Sequence, residues 1–112
     1  MDERIRQGYL FDFYGELLNE HQREIYSAYI FDDLSLGEIA DERGVSRQSI
    51  FDLIKRCTRT LEDYENRLHL IARFLKIRTD VQQIQSLCES DGPALDSLRR
   101  IRDLSDHLLE EL

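Results

Sequence analysis

The sequence has no tryptophan, a single proline and only five glycines in 112 residues. With so few breakers and no strand-like alternation of useful length, helix is the expected state for most of the chain, and a sheet fold is excluded. Only two cysteines occur. Cys57 and Cys88 stand too far apart for a metal-ligand spacing. Each falls on the apolar face of an expected helix, so both are expected to be buried free thiols of a reducing cytoplasm. No uncharged apolar run approaches the roughly 20 residues that a membrane span needs. The opening "MDERIRQG" lacks the basic-then-apolar order of a secretory leader. The three histidines, His21, His69 and His107, are isolated, and no Cys, Ser, Asp or Glu forms a catalytic or metal spacing with them. There is no Gly-rich phosphate loop. The expectation is therefore a protein with no catalytic residues, no metal and no cofactor, hence not an enzyme, read as surface or helix-face histidines on a soluble cytoplasmic chain.

Charge is abundant but uneven. The net charge is −8, and the acidic residues are not shared out along the chain. Residues 1–42 hold 3 basic and 11 acidic groups, residues 43–60 hold 5 and 1, and residues 61–112 hold 7 and 11. The one positive island is thus residues 43–60. An acidic chain is repelled by nucleic acid as a whole, but a local basic patch can still bind it.

Apolar periodicity and capping residues divide the chain. A first helix is expected over about 3–18, with Ile5, Tyr9, Leu10, Phe13 and Leu17 on one face. Asn19 and Gln22 make a capping-box-like start for a second helix presenting Ile25, Tyr29 and Ile30 and ending near Asp32-Asp33. Ser35 and Glu38 start a short third helix, 36–43, which Gly44 ends by entering the left-handed conformation. Ser46 caps a fourth. From Ser46 to Ser90 there is neither glycine nor proline. Ile50, Ile54, Cys57, Leu61, Tyr64, Leu68, Ile71 and Leu75 keep a four-three spacing, and the phase then slips to Phe74, Ile77, Val81, Ile84 and Cys88. An unbroken helix of that length would span on the order of 65 Å, so a break is expected near Asn66 or near Thr79-Asp80, or else a partner chain. "SDGP" at 90–93 reads as a loop. A last helix follows to the end, with Leu95, Leu98, Ile101, Leu104 or Ser105, Leu108 and Leu112 as its stripe.

The glycine in "LGEIADERGVSRQSIFDLIK" (36–55) is the informative one. A helix, a tight turn at glycine and a second helix crossing steeply make a helix-turn-helix. Ala40 supplies the small residue where the helices approach. Ile39, Val45, Ile50 and Leu53 or Ile54 are placed to fill the wedge, while Arg43 stands where an apolar residue is common. At 100° per residue from Gln48, Ile50, Leu53, Ile54, Cys57 and Leu61 lie at about 140° to 240° and form the core face. Asp52, Lys55 and Arg59 lie within about 40° of Gln48, on the outer face. Such a face lies in the major groove when the unit binds DNA. Gln48 can read adenine, and Lys55 guanine or phosphate. Ser46, with the N–H groups after it, and Arg47 and Arg56 can hold phosphate. The candidate nucleic-acid site is therefore Ser46, Arg47, Gln48, Asp52, Lys55, Arg56 and Arg59, in which Asp52 can accept from cytosine but elsewhere repels phosphate.

The segments "YLFDFYGELL" (9–18), "DDLSLGEIA" (32–40), "VSRQSIFDLIKR" (45–56) and "LEDYENRL" (61–68) together resemble the YlxM family of small bacterial proteins. More distantly they are similar to the fourth region of primary sigma factors, which reads the −35 promoter element. The resemblance covers residues 9–68. It implies an all-α fold, a sigma region 4-like helix-turn-helix followed by long C-terminal helices, and a regulatory role linked to the signal recognition particle. The positions matching the sigma pattern are Ser46, Arg47, Gln48, Lys55 and Arg56; Asp52 departs from a strong DNA reader.

The expected organisation is a helix-turn-helix domain over 1–66 and a C-terminal helical extension over 67–112, a dimerisation region within the same compact unit. Two functions compete. One is a regulator binding DNA or RNA, the structured RNA of the signal recognition particle included, through residues 46–59. The other is a protein-interaction module that docks on a signal recognition particle protein and keeps the helix-turn-helix as scaffold. The apolar stripe after Arg59 exceeds what one thin helical layer can hide, so a homodimer is expected.

Overall fold

The computed structural model describes residues 1–89, 92 and 94–111, and among them it shows helices and no strand. They are α1 (Glu3–Tyr14), continued by a 3-10 turn (Gly15–Leu17), α2 (Glu20–Ile30), α3 (Leu36–Arg43), α4 (Arg47–Leu68), α5 (Leu70–Glu89) and α6 (Ala94–Glu111). The fold is all-α, as the sequence implies. Two compact units divide the chain, Met1–Ile71 and Ala72–Leu112. Of the loop expected at 90–93 only Gly92 is described, and Leu112 lies outside the described residues.

The first unit is delimited by local hydrogen bonds legible in the sequence. Asn19 accepts from the Gln22 N–H at 2.8 Å while the Gln22 side chain accepts from the Asn19 N–H at 3.1 Å. Ser35 and Glu38 repeat the arrangement at the start of α3. Gly44 ends α3 at φ 67°, ψ 33°, where any side chain would be strained. The long helix breaks after Leu68, close to Asn66, where His69 takes φ 57° without being glycine; α5 then runs unbroken through Thr79 and Asp80.

The core of this unit holds Leu10, Tyr14, Leu18, Ile25, Tyr26, Ile39, Ala40, Ile50, Ile54, Cys57, Leu61 and Ile71. Burying one such large apolar side chain contributes about 1.5–3 kcal/mol. The inward face of α1 is not the expected one. Gln7, Leu10 and Tyr14 point inward, while Ile5 and Leu17 are exposed. Residues with polar tips can be buried when the tip has a partner, which a purely apolar pattern misses. Here the Gln7 amide donates to Thr58 Oγ1 at 3.5 Å, and the Tyr26 hydroxyl lies 2.8 Å from that same oxygen. Burial pushes Tyr26 up to about 12. Phe11 stacks on Tyr26 at 5.9 Å and meets Phe31 edge-on at 5.4 Å, joining α1 to α2. A Cβ on Gly15 would stand 2.9 Å from the Phe11 ring, so the close approach there needs glycine.

Val45 does not fill the wedge; it is 48% exposed. Its N–H is tied back to the Ala40 carbonyl at 3.1 Å, which turns its side chain outward just past the left-handed glycine. Leu68 is likewise exposed, because α4 ends there, and the buried residue at that end is Glu65.

In the second unit α5 and α6 are held by polar contacts. His107 Nδ1 lies 2.9 Å from the buried Asp80 carboxylate, and Lys76 is 3.7 Å from Glu111. Ile77, Ile84, Leu87, Ile101, Leu104 and Leu108 are half-buried. Two helices can hide only the sides they turn toward each other. Accordingly Cys88, expected buried, is exposed, as are Val81, Leu95 and Leu98 of the expected stripes.

Candidate nucleic-acid interface

The site is built from the turn between α3 and α4. Ser46 Oγ accepts from the Ser49 N–H at 3.1 Å, and Ser49 Oγ donates to the Ser46 carbonyl at 2.7 Å. This cap fixes where α4 begins and leaves the N–H groups of Arg47 and Gln48 without a partner one turn back. Ile50, Ile54 and Cys57 are buried beneath, so the helix is anchored by one face and bares the opposite one.

All seven sequence-predicted site residues, Ser46, Arg47, Gln48, Asp52, Lys55, Arg56 and Arg59, are exposed. Ser49, Asp52, Lys55, Arg56 and Arg59 line one shallow depression; Leu36, Arg47, Gln48 and Phe51 line another. The structure adds an internal link: Gln48 Nε2 donates to Asp52 Oδ1 at 3.0 Å. The carboxylate on this face is therefore engaged by the amide one turn before it.

Among the described residues, some basic residues of the unit are in ion pairs and others are not, Arg23 and Arg67 away from the candidate site being among the latter. Arg4, Arg6 and Arg43 are engaged by Asp33, Glu62 and Glu24. Arg6 and Glu62 form a bidentate pair, both contacts 2.8 Å, between α1 and α4, and the guanidinium holds the Glu62 carboxyl below the usual carboxylate range. Among the described residues, no ion pair involves Arg47, Lys55, Arg56 or Arg59. The partners Glu24, Asp33 and Glu62, from α2, the loop after it and α4 itself, thus engage other cations, while Asp2 and Glu3 at the start of α1 line a further depression together with Phe51, Lys55 and Arg59.

Phe51 was missed by sequence reasoning. It is 46% exposed on the flank of α4 beside Gln48. The signal was an apolar residue out of phase with the core face of its own helix. Nothing on this surface resembles a catalytic centre. Burial raises the Cys57 thiol, away from the thiolate. No group of three or more His, Cys, Asp or Glu among the described residues could hold a metal ion, and no described helix is long and apolar enough to cross a membrane.

Residues 1–100 match the family described as "Putative helix-turn-helix protein, YlxM / p13 like", UPF0122. The chain belongs to this family. Curated relatives agree along nearly the whole length. The UPF0122 protein of Halalkalibacterium halodurans is 42% identical over 104 residues, 93% of this chain and 95% of that protein. That of Shouchella clausii is 47% identical over 91 residues, 81% and 84% of the two chains. One from Bacillus thuringiensis is 38% identical over 108 residues, 96% and 98%. The family description names a helix-turn-helix, and Gly44, Ser46 and the buried face of α4 build one here.

Proposed function

We propose that this chain is a nucleic-acid-binding regulatory protein of the cytoplasm and not an enzyme, using the outer face of α4 as its contact surface. The observation that carries the reading is the group of four cations, Arg47, Lys55, Arg56 and Arg59, exposed on one helix and, among the described residues, in no ion pair, in a chain that is acidic elsewhere. Gln48 supplies a base-reading amide between them, and Arg47, Lys55, Arg56 and Arg59 supply the phosphate contacts. The regulatory role is assigned to the signal recognition particle pathway on the family resemblance, with DNA or RNA as ligand, the structured RNA of that particle included. The protein acts as a homodimer assembled through residues 67–112, which doubles a small basic patch.

A second reading is supported by Asp52 and the net charge of −8. In it the acidic surface docks on a basic protein of the same particle, and the helix-turn-helix is scaffold. The two differ in salt dependence. Binding through phosphate contacts weakens steeply as salt rises, by close to one unit of log–log slope per contact. Arg47→Ala and Lys55→Ala are each expected to reduce that slope by about one unit without loss of helical circular dichroism. If the wild-type protein shows no salt-dependent affinity for any bacterial DNA or RNA pool, the first reading fails and docking on protein stands.

A further inference from the structure

We infer that Phe51 reads the 5-methyl group of a thymine in duplex DNA, so that α4 selects A·T-rich steps through Gln48 and Phe51 together. The inference rests on the nucleic-acid reading above and narrows its ligand to duplex DNA. Phe51 lies about 60° around α4 from Gln48 and about 40° from Lys55, between the reading face and the buried flank at Ile54. It is 46% exposed and lines one depression with Leu36, Arg47 and Gln48 and a second with Lys55, Arg59, Asp2 and Glu3, so part of the ring is anchored and part is bare. On its α4 side the half-bare ring stands among exposed cations and an amide, with Asp2 and Glu3 only toward α1, and that side is complementary to a surface that is anionic at its rim and carries an apolar group within. The major groove at thymine has that composition: phosphates on either side and a methyl group at the base edge.

The spacing agrees. Gln48 and Phe51 are three residues apart, a rise of about 4.5 Å along the helix, against about 3.4 Å per base step. An amide addressing adenine N6 and N7 therefore stands next to a ring addressing the neighbouring step. Duplex DNA is favoured over RNA for two reasons. The major groove of A-form RNA is too deep and narrow for a helix to read, and uracil lacks the methyl group that an apolar ring would recognise.

Deoxyuridine in place of thymine removes only that methyl, so the decisive change is made on the ligand and the protein is left intact. Wild type and Phe51→Ala are titrated against a random duplex pool and the same pool with deoxyuridine throughout, with a single-stranded and structured RNA pool alongside. Wild type is expected to bind the thymine pool about four-fold more tightly for the one methyl contacted. Phe51→Ala is expected to bind both duplex pools alike, with its salt slope unchanged. Equal binding of the two pools by wild type overturns the inference while leaving nucleic-acid binding intact. So does a thymine preference that survives in Phe51→Ala. Preference for RNA with loss in Phe51→Ala overturns it in favour of base stacking. Absence of salt-dependent binding to any pool removes both this inference and the reading beneath it.

Discussion

At the scale of single residues, Asp52 decides how strongly the outer face of α4 can act. Its carboxylate is exposed and accepts from Gln48 at 3.0 Å. It therefore ties up the reading amide and repels phosphate at once. Asp52→Asn keeps the shape, removes the charge and weakens the link, so non-specific affinity is expected to rise a few-fold, with the larger gain at low salt where screening is weak. Filter binding at two ionic strengths measures it; unchanged or lower affinity would show that Asp52 reads a base directly. Several of these residues were legible because their roles are local. Ser46, Ser35, Asn19 and Gly44 act on backbone groups within three or four positions, and sequence order carries that information. Phe51, Val45 and Cys88 were not, because exposure is decided by what another segment covers. Val45 turns outward through a single backbone bond to Ala40, and Cys88 lies on the side of α5 that α6 leaves bare.

At the scale of elements, α1 is fastened to α4 by polar contacts at both ends of the shared surface. At one end Arg6 grips Glu62. At the other, the Tyr14 hydroxyl donates to Glu65 Oε1 at 2.5 Å and accepts from the Leu70 N–H at 3.2 Å, while the Ile71 N–H donates to the same Glu65 oxygen at 2.9 Å. A buried carboxylate from the end of α4 thereby caps the start of α5. Tyr14→Phe removes the central hydroxyl and is expected to cost about 1–3 kcal/mol in urea unfolding, with faster amide exchange at Leu70; an unchanged midpoint would mean that solvent replaces the hydroxyl. The existence and order of these helices were readable from periodicity and caps. The break at His69 was readable only to within a few residues. A non-glycine in the left-handed region is held there by Tyr14 and Glu65, partners that the order of residues near 69 does not reveal. The α5–α6 pair has a pH-dependent fastening of its own. The hydrogen bond that His107 donates to the Asp80 carboxylate, and then the charge of Asp80, raise His107 above the ordinary imidazole value, with Glu110 and Glu111 adding to the effect. A raised folded value means that the stabilisation is complete below the unfolded value of roughly 6.5 and is lost as pH climbs through the folded one. An NMR titration of His107 is expected to show a midpoint above that of a free imidazole, returning toward it in Asp80→Asn; the same midpoint in both proteins would break the assignment.

At the scale of the whole molecule, the second unit leaves several large apolar side chains uncovered. It is built from the greater part of α5 and from α6, and units of about 40 residues usually need a metal, disulfides or a partner chain. Val81, Leu95, Leu98 and Leu109 are 41–68% exposed in it. An acidic chain stays soluble through charge, but charge does not remove the cost of wetting that many large side chains. A second copy offers the same stripes and closes the assembly by two-fold symmetry, the commonest symmetry among soluble homo-oligomers. The homodimer is therefore expected to give twice the 13.3 kDa chain mass in sedimentation equilibrium at micromolar concentration. Leu98→Glu and Val81→Glu place a carboxylate on the stripes and should shift the mass toward that of one chain, because burying the charge without a partner is strongly unfavourable. Each lies on the exposed side of its helix, so helical circular dichroism should be retained. A single-chain mass for the wild type would leave these residues as bare surface and remove dimerisation from the account of how the small basic patch gains affinity.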